Sequence, residues 1–183
     1  MSLWILPRTA QIGGKSYEIH PDFRDILEIF SYLGDPDLPE PFRWRIALAL
    51  FYEGQIPPEH RQEAMEFLAD FIRYGVEDRP GPRLLDWEQD AGAIIAGVNA
   101  AAGQEIRDEP FVHWWTFLSW FSAIGKGELA TLVSIRSKLS RGQQLDDWEQ
   151  AFYRQNRTRV DLKVRYTADE LAQRERLNAM LSR

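Results

Sequence analysis

The chain has 183 residues, a net charge of −6 and 44% hydrophobic residues, enough to build a sizeable hydrophobic core. It contains no cysteine, which excludes disulfides, thiolate zinc sites and cysteine nucleophiles. No apolar run reaches the roughly 18 residues that a membrane-spanning helix needs, and the first residues lack the pattern of a signal peptide. We therefore expect a soluble, cytoplasmic protein.

The charge is divided unevenly along the chain. Residues 1–125 hold 10 basic and 20 acidic side chains, a balance of −10, whereas residues 126–183 hold 12 and 8, a balance of +4. An acidic body with a basic tail favours binding to another protein, or self-association, over binding to nucleic acid.

The segment from Leu3 to Ile19 is predicted to form a β-hairpin. Gly13-Gly14 supplies the positive φ angles of a two-residue turn, and segments that can form strands lie on both sides of it. Because an isolated hairpin is marginally stable in water, we expect Tyr17 and Ile19 to pack on the helices that follow.

Four helices are predicted next from apolar residues at helical spacing. The first three occupy residues 21–34, 39–54 and 57–75, each stretch beginning with proline and ending with glycine. The fourth is predicted to run from Asp86, as its N-cap, to Gly103.

The stretch Glu109–Ile124, EPFVHWWTFLSWFSAI, is the most unusual part of the sequence. Its apolar residues fall on every side of a helical wheel, so we expect a central helix, Phe111–Ile124, surrounded by other helices. His113 is interpreted as a hydrogen-bonded residue of this helix, or as a partner of Asp108 or Glu109. Five aromatic side chains are candidates for core packing or for contact with a protein partner: Trp114, Trp115, Phe117, Trp120 and Trp148.

Two further helices are predicted, one after residues 125–127 and one from about Asp146. Arg136 and Lys138 lie near the C-terminal end of the first, where the helix dipole favours positive charge. The residues predicted to face inward are Leu129, Leu132, Val133 and Leu139 on the first helix and Trp148 and Phe152 on the second.

The C-terminal part of the chain has a different pattern. Residues 159–166 alternate between polar and apolar side chains, which is typical of a half-buried strand. Thr167 and Glu170 then fit a capping box at the start of a short charged helix. The predicted fold is mainly α: a single helical domain of about seven helices with an N-terminal β-hairpin, residues 1–157, and a C-terminal extension, residues 158–183, in which a strand and a short helix are predicted.

The polar residues do not indicate a catalytic, cofactor or metal site. His20, His60 and His113 show no metal-ligand spacing. No serine lies in the context of a nucleophile, and the paired glycines lack the other residues of a phosphate-binding loop.

Two alternatives remain open. Asp86, Glu88 and Asp90 are spaced as paired acids of a hydrolase, although acids are favoured in a first helical turn without any function, and we expect them to face solvent or to cap a helix. The basic residues between 154 and 166, with their neighbouring tyrosines, are the best candidate for a small regulatory or nucleic-acid-binding protein.

The order of the motifs resembles a known family. The chain reads GGKSYEI in the hairpin, LLDWEQDAGAIIAGVN in the fourth helix, HWWTFLSWFSAI in the central helix, and LVSIRSKLSRGQQLDDWEQAFYRQN near the end. Over residues 11–157 it resembles the tail assembly chaperone family of long-tailed, siphovirus-type bacteriophages and prophages of Gram-positive bacteria. The most specific matches are Asp86, Asp90, residues 113–117 and Ile135-Arg136.

The resemblance implies a non-enzymatic role in the host bacterial cytoplasm. Such proteins bind the hydrophobic tape-measure protein and keep it soluble while tail-tube subunits polymerise around it. The expected partners are therefore the phage tape-measure protein, the tail-tube protein and, from the charge division, a second copy of the chain. No cofactor, membrane or nucleic-acid partner is expected.

Overall fold

The chain is mainly helical. The computed structural model describes residues 4–74 and 81–164, together with Tyr166, Thr167 and Glu170. These residues form a two-stranded antiparallel hairpin and eight α-helices, which confirms the predicted fold class. None of the helices in this part of the chain is long and apolar enough to cross a membrane.

The first three predicted helices are each found within the predicted range, and a 3-10 turn, Pro58–His60, precedes the third. The elements follow in chain order as β1 (Thr9–Ile12), β2 (Lys15–Glu18), α1 (Phe23–Leu33), α2 (Glu40–Phe51), α3 (Arg61–Arg73), α4 (Ala91–Ala102), α5 (Trp114–Ser122), α6 (Glu128–Ser140), α7 (Asp147–Gln155) and α8 (Arg157–Val160).

The chain divides into two compact units, and residues 7–20 and 24–69 belong to one of them. In this unit the predicted hairpin is confirmed, with φ angles of 58° at Gly13 and 75° at Gly14 in the turn. Ile19 is buried and bridges to Tyr52, whose ring meets that of Tyr17 edge-on at 6.3 Å. The hairpin therefore packs on the helices, as expected.

The other unit contains residues 21–23 and 81–163, together with the last turn of α3 from Asp70. Helix α4 packs against α5 and the residues that follow it, and a Cβ on Gly97 would lie 2.7 Å from the Cδ1 of Ile124, two residues after the end of α5. Its buried apolar side chains are Phe23, Phe71, Ala93, Ile94, Val98, Ile106, Val112, Trp114, Trp115, Phe117, Leu129, Leu132, Ile135 and Val160.

The starts of α4 and α5 differ from the prediction. Helix α4 begins at Ala91 rather than just after Asp86, because residues 87–90 form a separate turn: the Asp86 carboxylate accepts its N–H groups at Glu88 and Gln89, and the Asp90 carboxylate accepts the Asp86 N–H. Helix α5 begins at Trp114 rather than Phe111, because His113 forms an antiparallel bridge with Asp22, whose carboxylate also accepts the N–H of Val112 at 2.9 Å.

The predicted strand at residues 159–166 is wrong. Residues 157–160 form helix α8, and residues 161–164 have no regular secondary structure. The alternating pattern suggested a strand, whose carbonyls would accept hydrogen bonds from a neighbouring strand. The carbonyls of Arg159 and Val160 instead accept hydrogen bonds from Arg136.

The capping contacts predicted at the C-terminus are present. The Thr167 N–H donates to the Glu170 carboxylate at 2.8 Å, and the Glu170 N–H donates to the Thr167 hydroxyl at 3.1 Å. The short helix predicted after them lies outside the described residues. The division into a domain and an extension at residue 157 stays a prediction.

Candidate functional site

The histidine of the HWW motif caps helix α5. His113 is buried, and its Nδ1 accepts the backbone N–H of Trp115 at 3.0 Å, satisfying one of the donors that every helix N-terminus leaves open. The prediction of a hydrogen-bonded histidine is confirmed, but the residue stands before the helix rather than within it.

The two tryptophans of the motif bind the end of α3. The indole N–H of Trp114 donates to the carbonyl of Ile72 at 3.0 Å, and that of Trp115 to the carbonyl of Phe71 at 2.9 Å. The last four carbonyls of a helix have no partner within it, so these indoles satisfy two of them. The motif therefore connects the N-terminus of α5 to the C-terminal end of α3 through side-chain hydrogen bonds.

Phe117 completes a stacked aromatic cluster. Its ring lies parallel to that of Phe23 at 4.8 Å and nearly parallel to that of Trp114 at 5.5 Å, while Trp87 meets Trp114 edge-on at 5.8 Å. Of the five candidate aromatics, Trp114, Trp115 and Phe117 are thus core residues. The other two, Trp120 and Trp148, reach the surface, the first half-buried and the second 57% exposed.

A buried ion pair joins α4 to α6. Arg136 is 5% exposed and Asp90 is 3% exposed. The guanidinium donates to both carboxylate oxygens of Asp90, at 2.6 and 2.8 Å, in the bidentate geometry that gives the strongest hydrogen bonds of this kind. Its other contacts are to main-chain carbonyls, those of Leu84 at 3.0 Å and of Arg159 and Val160 at 2.7 Å.

The acids at residues 86–90 do not face solvent as a group. Asp86 is buried, pairs with Arg83 and accepts the N–H groups of Glu88 and Gln89 at 2.9 and 2.7 Å. The expectation of solvent-facing carboxylates is therefore wrong for Asp86 and Asp90, because each has an arginine to compensate its charge, and it holds for the exposed Glu88. Asp86 caps a turn rather than a helix. Within the described ranges, no group of three histidine or acidic residues is arranged to hold a metal ion.

Gln89 binds the chain segment that follows α7. Its amide nitrogen donates to the carbonyl of Asp161 at 2.9 Å and to that of Arg159 at 3.2 Å, while its amide oxygen accepts the N–H of Lys163 at 3.0 Å. Arg83 also donates to the carbonyl of Lys163, at 3.4 Å. We call Arg83, Gln89, Asp90 and Arg136 the clasp, because together they hold the main chain of residues 159–163.

The basic C-terminal segment has acidic partners in its own chain. Arg159 pairs with Glu128, and Arg157 pairs with Asp161 at 3.1 Å. The hydroxyl of Tyr153 donates to the same Asp161 at 2.9 Å, a hydrogen bond that raises the pKa of Tyr153. Two of the arginines that indicated a nucleic-acid surface are therefore engaged in ion pairs.

The turn between α6 and α7 exposes apolar side chains that were predicted to face inward. Leu139 is exposed and Trp148 largely so, because the residue of α7 that turns inward is Glu149. Glu149 closes a capping box with Asp146 and accepts the Lys138 ammonium group at 2.6 Å through both of its carboxylate oxygens.

The inward position of Arg136 could have been found from the sequence. It follows Leu129 and Leu132 at seven and four residues, the spacing of one helix face. A charged residue on the apolar face of a helix requires a buried partner of opposite charge. Asp90, which follows Asp86 by one helical turn, is an acid that could serve as this partner.

Fold and site together define a mainly helical chain in which buried polar residues hold the main chain of residues 159–163. A family model described as Bacteriophage Gp15 protein matches residues 5–162, so the chain belongs to this bacteriophage family. The matched range includes the HWW motif and all four clasp residues. No curated protein and no solved structure matches the chain.

Proposed function

We propose that this chain is a tail assembly chaperone, which binds the tape-measure protein of its phage and keeps it soluble while the tail tube assembles. It acts in the host bacterial cytoplasm without enzymatic activity, and the tail-tube protein is a further candidate partner. Membership of the bacteriophage Gp15 family supports a phage role. The order of the sequence motifs supports the role in tail assembly.

The observation that carries the proposal is the exposed indole of Trp148 in the first turn of α7, together with the exposed Leu139 in the last turn of α6. Large aromatic side chains contribute strongly to protein interfaces when a partner covers them. The contact between Lys138 and Glu149 ties the two helix ends together, so these apolar groups are presented on fixed elements. Exposed charged residues such as Asp147 surround them and favour solubility of the complex.

A second apolar surface lies on helix α2. One face of this helix is buried through Ala47, Leu48 and Phe51. Phe42 and Ile46 lie on the opposite face at a spacing of four residues, and Phe42 is 54% exposed. An amphipathic surface helix would carry polar residues there, so α2 offers a further contact for an apolar partner.

Co-expression tests the proposal. The partner is the tape-measure protein of the same phage, recognised as the long, coiled-coil-rich product of a neighbouring gene. We expect the wild-type chain to raise the soluble fraction of that protein and to co-purify with it. Equal solubility with and without the chain, and no co-purification, would contradict the proposal.

Trp148→Ala is the informative variant in this assay. It removes an exposed apolar surface, so we expect it to reduce co-purification at least several-fold. Arg154→Ala, on the same helix and also exposed, removes a charge instead and serves as the matched control. If both variants bind as the wild type does, the contact surface lies elsewhere, and Phe42→Ala tests α2 in the same way.

A further inference from the structure

We propose that residues 157–163 are an exchangeable segment, which swings out on Asn156 and occupies the clasp of a second copy of the chain. The inference does not depend on the proposed function. It rests on the contacts that hold the segment, on the contacts that the clasp keeps when the segment leaves, and on the hinge at Asn156 that connects the segment to α7.

The segment is held mainly through its backbone. Val160 is its one buried side chain, 1% exposed, while Arg157, Thr158, Arg159, Asp161 and Lys163 are exposed. The clasp binds carbonyls and one N–H of the segment. Release therefore uncovers one buried side chain, Val160, and the half-buried Leu162, together with the groups that they cover.

The ion pair within the clasp remains after release. Arg136 keeps both hydrogen bonds to Asp90 and the one to the Leu84 carbonyl. We expect water to bind the donors that held the carbonyls of Arg159 and Val160 once the segment that covers them has left. No unpaired buried charge is created, which is the event that would make opening costly.

Asn156 is a single-residue hinge. It separates α7 from α8 with φ and ψ of −121° and 26°. A rotation of about 60–70° in each angle would bring it to helical values and join the two helices into one. The N–H groups of Arg159 and Val160 already donate to the Asn156 carbonyl, so α8 moves as one piece.

A second copy fits the emptied clasp because it carries the same segment. Every contact made within one chain can be made between two chains, which is the basis of segment exchange between identical protomers. The ion pair between Arg159 and Glu128 can equally form between two copies. The charge division along the chain, −10 in residues 1–125 and +4 in residues 126–183, favours association of copies.

The absence of cysteine permits a direct test. We mix two full-length single variants, Glu128→Cys and Arg159→Cys, treat them with a short bismaleimide that bridges two thiols across the length of an ion pair, and quantify the 128–159 cross-link between chains by mass spectrometry. Arg154→Cys replaces Arg159→Cys in the control, because it is an exposed arginine on α7 and reports random collisions. We expect at least a fivefold higher yield for the 128–159 pair, increasing with protein concentration.

Two further variants complete the test. The double variant Glu128→Cys/Arg159→Cys should form the same bismaleimide cross-link within one chain at low concentration, and Asn156→Ala, which favours a continuous helix, should increase the yield between chains. Near-UV circular dichroism checks that each variant keeps its aromatic packing. A 128–159 yield equal to that of the control, a double variant that never links within one chain, or no effect of Asn156→Ala would each overturn the proposal.

Discussion

At the scale of single residues, Arg136 shows how one buried charge organises its surroundings. It stands on the inward face of α6, where an apolar side chain would be expected, and joins Asp90 to three main-chain carbonyls. Such a pair adds little stability by itself, because both charges lose their hydration, but removing one partner leaves the other without compensation. Its effect is therefore to specify where residues 159–160 lie.

We expect Arg136→Met to lower the free energy of unfolding by about 3–5 kcal/mol, because Asp90 is left buried and unpaired. The double variant Arg136→Met/Asp90→Asn should recover part of this loss, since the neutral amide needs no counter-charge. Urea denaturation of both variants measures the difference. A double variant as unstable as the single one would show that the charge of Asp90 is not the cause.

A second residue-scale prediction concerns Glu105. Hydrogen bonds from Arg107, at 2.7 and 2.8 Å, hold the pKa of this carboxyl at about 2, below its ordinary value of 4.5. A lowered pKa stabilises the folded state above the unfolded-state value, and this contribution is lost as the pH falls through about 2.

Glu105→Gln removes that titration. We expect the wild type to lose stability more steeply than the variant between pH 4.5 and pH 2, as measured by thermal unfolding across this range. Glu59→Gln, at an exposed acid in the other unit, is the control. Parallel pH profiles for wild type and Glu105→Gln would contradict the assignment.

At the scale of elements, α5 depends on side chains that satisfy backbone groups. Trp115→Ala should lower the free energy of unfolding by about 3–5 kcal/mol, the usual cost of truncating a buried aromatic residue. Trp115→Phe keeps a ring but loses the N–H that binds the Phe71 carbonyl, so we expect a loss of about 1–3 kcal/mol. Trp148→Ala, at the exposed site, should change stability by about 0.5 kcal/mol or less. Chemical denaturation ranks the three, and a different order would contradict the core assignment.

The elements also show which features were predictable from the sequence. The hairpin and helices α1 to α3 follow from local signals, namely Gly13-Gly14 and the proline and glycine at helix ends, because these residues restrict the backbone directly. Helix α8 was missed because its place depends on Arg136, which is distant in sequence. The aromatic motif was recognised as central, but the bonds from Trp114 and Trp115 to α3 depend on tertiary contacts that periodicity does not report.

At the scale of the whole molecule, the chain combines buried aromatic side chains that connect its helices with apolar side chains that remain on the surface. The residues on which the proposed role rests most specifically in the sequence, among them Asp86, Asp90, the HWW motif and Arg136, build the fold. A partner surface must then come from other residues, and Trp148 and Phe42 are the largest exposed rings on α7 and α2.

The most direct test of the central proposal is a solubility measurement with purified components. The tape-measure protein of the same phage is diluted from denaturant into buffer, with and without an equimolar amount of this chain, and its aggregation is followed by light scattering. The chaperone proposal predicts that scattering is suppressed and that a complex of the two proteins elutes together in size-exclusion chromatography. Aggregation at the same rate as with an equal mass of an unrelated, inert protein would contradict it.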